Sequence, residues 1–176
     1  MTNVLPGTVL ATRTPGGWRT PQWWIRFGAA VKDKPNLANH IAVPHHQDAH
    51  GTWWGIEGRP GGVGWVDCSR YLADPATITN KGQPLTTAQR AGICAAMEKL
   101  LGGPYDWAAI VADAEADLGI HMPGWDPSWH GSVPGHVVCS SAAQYAYLKA
   151  GAEAPEGDRG TQPADWVSFI LRHGWQ

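Results

Sequence analysis

A thiol, an imidazole and a carboxylate are the parts of a nucleophilic acyl-transfer site: the thiol attacks, the imidazole moves the proton, and the carboxylate orients the imidazole. Cys139 is the thiol whose position fits. It follows the β-branched pair Val137-Val138 and opens an Ala-rich run, Cys139 to Ala150, backed by Gly151. A cysteine at a helix N-terminus meets unpaired N–H groups and the positive end of the dipole, which favour a thiolate and could hold an oxyanion. The same place equally suits a small buried cysteine capping a helix. Cys94, inside an apolar helical pattern, reads as core, and Cys68, just after a predicted strand, reads as inert. An odd number of cysteines with no C-x-x-C pair gives neither a disulfide framework nor a zinc-binding set.

The base and its orienter come from a predicted hairpin. Asn39-His40-Ile41-Ala42-Val43 and Trp53-Trp54-Gly55-Ile56-Glu57 read as strands flanking a segment of turn formers, Pro44 to Gly51. A turn centred between Asp48 and Ala49, with no bulge, sets His40 directly opposite Glu57 on one face. The carboxylate would then fix one imidazole tautomer and stabilise its cation. A cross-strand His–Glu pair with no chemistry has the same pattern. His136, three residues before Cys139, could reach the thiol locally, and Ser140 beside it joins the expected substrate-binding set. His45, His46, Asp48 and His50 look like metal ligands but crowd a hairpin tip, where polar residues belong anyway, so no metal is expected. His121, His130 and His173 have no evident partner.

The elements that must position these groups follow in two blocks. Thr8 to Ala11, the two hairpin strands and Val63 to Val66 are β-like. Thr86-Thr87-Ala88-Gln89 is a capping box ahead of Ile93, Met97, Leu100 and Leu101, with Gly102 as the stop. Further helices are expected over 106–118, 139–150 and 163–172, the last opened by Pro163 and ended by Gly174. The stretch 18–30 is ambiguous, and 151–160 is a polar loop. Strands first and helices later argue for α+β and not α/β. The 176 residues show no internal repeat or linker and make one domain, 1–176.

Composition excludes several classes. Thirteen basic residues stand against fifteen acidic ones, a net charge of −2, with no basic stripe for nucleic acid. No apolar run is long enough to span a membrane. Met1 to Pro6 lacks the basic and apolar regions of a signal peptide, which implies a cytoplasmic product as synthesised. Neither a G-x-G-x-x-G fingerprint nor a P-loop is present, so no cofactor is expected. The 22 glycines, 14 prolines and 11 tryptophans imply many turns and a surplus of aromatic surface.

Taken in order, several stretches resemble the circularly permuted branch of the NlpC/P60 superfamily. They are Asn39-His40-Ile41-Ala42-Val43; Ile56-Glu57-Gly58 with Gly62-Val63; Leu100-Leu101-Gly102-Gly103-Pro104-Tyr105-Asp106-Trp107; Val138-Cys139-Ser140-Ser141; and Thr161-Gln162-Pro163-Ala164-Asp165-Trp166. His precedes Cys here, as in the permuted branch that includes YiiX-like and lecithin:retinol-acyltransferase-like proteins. The resemblance implies a papain-like α+β fold, an antiparallel sheet or small barrel packed against helices, with Cys139 as nucleophile, His40 as base, Glu57 as the orienting residue and Tyr105 lining the site. The chain departs from the family in lacking an acidic residue shortly after Cys-Ser, and in an apparent insertion over Trp125 to Pro134. Trp125 in that insertion could supply an apolar cleft or a sugar platform. The implied activity is a thiol-dependent amidase or peptidase acting on cell-wall (peptidoglycan) peptides in a bacterial or phage setting. The alternatives are a lipid-directed hydrolase or acyltransferase, and a non-catalytic module of a phage tail or virion. The partners implied are a peptide or acyl-containing substrate and, for the last alternative, virion or tail proteins, reached by assembly or after lysis.

Overall fold

The computed structural model describes residues 4–15, 37–106, 137–156 and 161–176. Five antiparallel strands form one sheet: β1 (Leu10–Thr12), β2 (His40–Gln47), β3 (Trp53–Arg59), β4 (Gly62–Asp67) and β5 (Ile78–Thr79), in the order β4-β3-β2-β1-β5. A short helix α1 (Ser69–Ala73) follows β4; α2 (Thr87–Glu98), α3 (Cys139–Lys149) and α4 (Pro163–His173) complete the described elements. The architecture is α+β. The expected helix over 106–118 and the ambiguous stretch 18–30 fall outside the described residues, apart from Asp106.

Local sequence explains the helix ends. Thr86 caps α2, accepting from the Gln89 N–H at 3.1 Å while the Gln89 side chain accepts from the Thr86 N–H at 3.0 Å. The helix stops at Glu98, earlier than the apolar spacing suggests. Leu100 and Leu101 lie in turns, and Gly102, with φ +75°, bonds through its N–H to the Val63 carbonyl at 3.0 Å. Those leucines pack on the core from a turn, which is why they mimic another helical turn in sequence. Pro163 opens α4, and Gly174 closes it in the left-handed conformation, φ 66°.

The hairpin differs from expectation. Its first strand runs further, to Gln47, while the second starts at Trp53 as expected and continues to Arg59, so the turn sits later in the chain; Asp48 builds it by accepting from the His50 and Thr52 N–H groups, both at 2.9 Å. The ladder shifts between Pro44 and His46, a β-bulge. Glu57 therefore stands opposite Ala42, two residues from the expected partner His40. A shift of two keeps His40 and Glu57 on one face as diagonal neighbours.

The sheet divides the interior. Ile41, Val43 and Ile56 face the main core, with Ile93, Met97, Ala142, Ala143, Ala146, Tyr147, Trp166 and Ile170. Ala42 lies on the other face in a smaller cluster with Leu10, Val66, Cys68 and Tyr71. The large polar aromatics of the main core are satisfied: Trp166 Nε1–H donates to the Ser140 carbonyl at 3.2 Å, and the Tyr147 hydroxyl donates to the Gly7 carbonyl at 2.6 Å.

Candidate active site

Cys139, His40 and Glu57 come together where the β2–β3 ladder ends. Alternation puts His40 on the face away from the main core, whereas α3 packs against β2 and β3 from the core side. They meet because His40 is the first residue of β2 and because β3 carries Gly58 at that level. A methyl group at Gly58 would lie 3.2 Å from Cys139 N and 3.3 Å from Cys139 Cα, so the missing side chain lets the start of α3 settle onto the strand. The helix begins at Cys139 after the N-cap residue Val138, which has no polar side chain. No capping side chain therefore takes the first-turn N–H groups, unlike the Ser, Thr or Asp common at this position. Ser141 instead turns back, its Oγ accepting from the Val138 N–H at 3.0 Å.

The three side chains form a chain of hydrogen bonds. His40 Nε2 lies 2.7 Å from Glu57 Oε2, and His40 also hydrogen-bonds the Cys139 side chain, for which Nδ1 is the remaining ring nitrogen. Cys139 and Glu57 are each 3% exposed, so solvent screens these interactions little. Burial would pull the imidazole down. The charge of Cys139 and the hydrogen bond to it, followed by the bond to and charge of Glu57, override burial and push His40 up from 6.5 to about 10. Glu57 titrates below its ordinary 4.5. Burial opposes ionisation there, but the bond to His40, that residue's charge, the Tyr71 hydroxyl and Arg59 together outweigh it.

Tyr105 reaches the same place on a short strap. Tyr105 pairs with Val137 in an isolated parallel bridge, and the Asp106 N–H donates to the Val137 carbonyl at 3.1 Å, immediately before α3. Burial holds the Tyr105 hydroxyl above its usual range, and the charges of Cys139 and Glu57 push the same way. Ser140 does not face this site: its hydroxyl is buried and donates to the Thr161 carbonyl, tying α3 to the segment before α4. One step along a helix turns a side chain by about 100°, so the neighbour of a nucleophile need not share its face. His136 and Trp125 lie outside the described residues, as do His121 and His130.

Other candidates have structural partners. Cys68 and Cys94 are buried free thiols that burial pushes up to about 12 and about 11. His45 pairs with Glu98 at 3.0 Å and lies 3.1 Å from His46, both rings edging Trp65. Asp48 is spent on the turn and on Trp54 Nε1–H at 3.0 Å. Among the described residues no group of three or more His, Cys, Asp or Glu side chains could hold a metal. His173, without an evident partner in the sequence, stacks on Trp175 at 4.3 Å and bonds the Phe169 carbonyl at 2.9 Å.

The residue that sequence reasoning missed is Tyr71 of α1. Its hydroxyl donates to Glu57 Oε2 at 2.9 Å, the oxygen that also meets His40, and accepts from Arg70 at 2.6 Å. The only signal was an Arg-Tyr pair just after the strand that pairs with β3. Among the described residues no helix is long and apolar enough to cross a membrane. Set against family models, curated proteins and solved structures, the chain matches none.

Proposed function

We propose that the protein is a cysteine hydrolase of papain-like, permuted NlpC/P60 type, cleaving amide bonds in cell-wall peptides. The observation that carries this reading is the position of one buried imidazole, hydrogen-bonded on one side to a thiol at a helix start and on the other to a buried carboxylate. The order of His, Glu and Cys along the chain and the sequence stretches that resemble the family add support.

In this reading Cys139 passes its thiol proton to His40, and the Sγ thiolate attacks the carbonyl carbon, forming a C–S bond while the carbonyl π pair moves onto oxygen. First-turn N–H groups of α3 stabilise that oxyanion. As the oxyanion collapses the C–N bond breaks, and His40 gives its proton to the departing amine. Water then attacks the thioester while His40 takes a proton from it; the C–S bond breaks, the acid is released, and His40 returns the proton to the Cys139 thiolate. Glu57 keeps the imidazole oriented and its cation paired throughout.

The test is incubation of wild type, Cys139→Ala and His40→Ala with peptidoglycan peptides, products and intact protein being read by mass spectrometry. The expected result is amide cleavage by wild type only, with a transient acyl adduct on the peptide containing Cys139. Wild-type turnover by Cys139→Ala would overturn the proposal. Cleavage of acyl lipids instead of wall peptides would keep the nucleophile and replace the substrate.

A further inference from the structure

We infer that Tyr71 is a positioning residue, a fourth link that holds Glu57 ionised and aimed at His40; this rests on the hydrolase reading above. Glu57 is a carboxylate buried on the inner end of the site, and an isolated buried carboxylate is costly unless donors satisfy it. Its two oxygens are served differently. Among the described residues Oε1 meets the distant Arg59 guanidinium, at 3.8 Å, from a side chain that is 51% exposed. Oε2 receives both His40 and the Tyr71 hydroxyl, at 2.7 and 2.9 Å.

A carboxylate in the middle of such a chain has two failure modes. It can rotate about its terminal bonds and lose the imidazole. It can also draw the proton off His40, leaving a neutral pair that stabilises no imidazolium. A phenol donating to the same oxygen opposes both, because it fixes the oxygen in space and lowers its basicity. The Tyr71 phenol suits this part. Burial and the Glu57 charge raise its own titration well above the usual range, so it stays a donor. Arg70 donates to the phenol oxygen and lies over the ring at 4.6 Å, which polarises the O–H toward Glu57. The His40 and Tyr71 rings lie 6.2 Å apart, so Tyr71 acts through Glu57.

Other groups facing Glu57 set the background. They are His40 from β2, Arg59 from β3 itself, Cys68 just before α1, and Tyr105, with Cys139 beyond His40. Asp67, at the end of β4, acts on Cys68 and Arg70. Among these the Tyr71 hydroxyl is the neutral donor that can be removed without deleting a charge or opening a large cavity.

The experiment is titration of the Glu57 side-chain carboxyl by ¹³C NMR in the full chain, assigned with Glu57→Gln. Wild type is compared with Tyr71→Phe, with 3-fluorotyrosine incorporated at 71, and with Arg70→Gln. Alkylation of Cys139 in wild type and His40→Ala is measured beside it. Loss of one hydrogen bond to a charged group is expected to weaken the Glu57 acid about tenfold, raising its titration by about one pH unit in Tyr71→Phe. The fluorinated phenol, a stronger donor, should move the titration the opposite way. Arg70→Gln, a change at an exposed side chain, should raise it by less, and this holds the test open if Tyr71→Phe folds poorly. A general loss of packing would not give shifts of opposite sign. Titrations unchanged in all three variants would overturn the inference even if Cys139 depends on His40. Shifted titrations with Cys139 reactivity indifferent to His40 would show the Tyr71–Glu57 bond but refute its positioning role, along with the hydrolase reading.

Discussion

Gly58→Ala tests whether the approach of α3 to β3 is what sets Cys139 beside His40. The added methyl would sit 3.2 Å from Cys139 N, 3.3 Å from Cys139 Cα and 3.4 Å from Val138 C. All three are backbone atoms, so no side chain can rotate away, and the first turn of α3 or the strand must retreat by a few tenths of an ångström. Overpacking of this kind costs about 1–2 kcal/mol. For a chain of this length that lowers Tm by roughly 3–6 °C. The functional effect is larger in proportion. Misplacing a reacting group by about 1 Å can cost about a hundredfold, so a few tenths should slow Cys139 roughly three- to fivefold. The assay is iodoacetamide alkylation of Cys139 near neutral pH, read by peptide mass, alongside a thermal melt. Gly61→Ala is the control, because nothing lies within 4 Å of a methyl group there. Wild-type alkylation and wild-type Tm in Gly58→Ala would refute the argument that this glycine admits the helix. A fall in Tm with unchanged reactivity would show that the contact is structural only.

Three further outcomes follow from the same geometry. Cys68 and Cys94, pushed up to about 12 and about 11, should resist alkylation at neutral pH in the folded chain and react once urea unfolds it; rapid native labelling of either would contradict their burial. Glu57 titrates below its ordinary 4.5 when folded, so its stabilisation is complete above that value and is lost as pH falls through the lower, folded value. Glu57→Gln should thus be less stable than wild type at pH 7 by about 3 kcal/mol, the gap narrowing in urea melts below about pH 4.5; a gap that widens with acid would reverse the sign. Ser140→Ala removes the donor to the buried Thr161 carbonyl and should cost about 1–3 kcal/mol while leaving Cys139 reactivity intact. A tenfold loss of reactivity without loss of stability would instead return Ser140 to the substrate side.

Much of the helical scaffold was legible because the decisive signals are local. The Thr86–Gln89 box, Pro163 and the glycines at 151 and 174 act within a turn of the backbone they shape. What the sequence left unread depends on distant packing. Leu100 and Leu101 continue a helical spacing beyond the end of α2 because a turn can bury them as well as a helix can. Ser140 sits beside the nucleophile, yet its hydroxyl is claimed by a carbonyl 21 residues away. Tyr71 meets Glu57 only because β4 folds back beside β3 and α1 then covers the far face of the sheet, a juxtaposition no short spacing encodes.

The His40–Glu57 contact survived an incorrect register for a physical reason. Period-two alternation makes the face, not the exact partner, the property that a strand pattern carries. The expected turn paired His40 with Glu57. The longer strands and the bulge between Pro44 and His46 pair Ala42 with Glu57 instead. Had the slip been one residue, the carboxylate would have pointed into the apolar cluster around Ile41 and Val43, where a charge has no partner. A slip of two costs reach alone, and both side chains are long enough to close a diagonal at 2.7 Å. The diagonal also has a consequence that direct pairing would lack. Glu57 is the last paired residue of the ladder, next to the Gly58 that admits Cys139, and its Oε2 meets both His40 and the Tyr71 hydroxyl. The bulge thus belongs with the site: the register at Gln47 and Trp53, continued without it, would set Glu57 opposite Val43 on the core face, and the one-residue shift brings it opposite Ala42, on the face of His40.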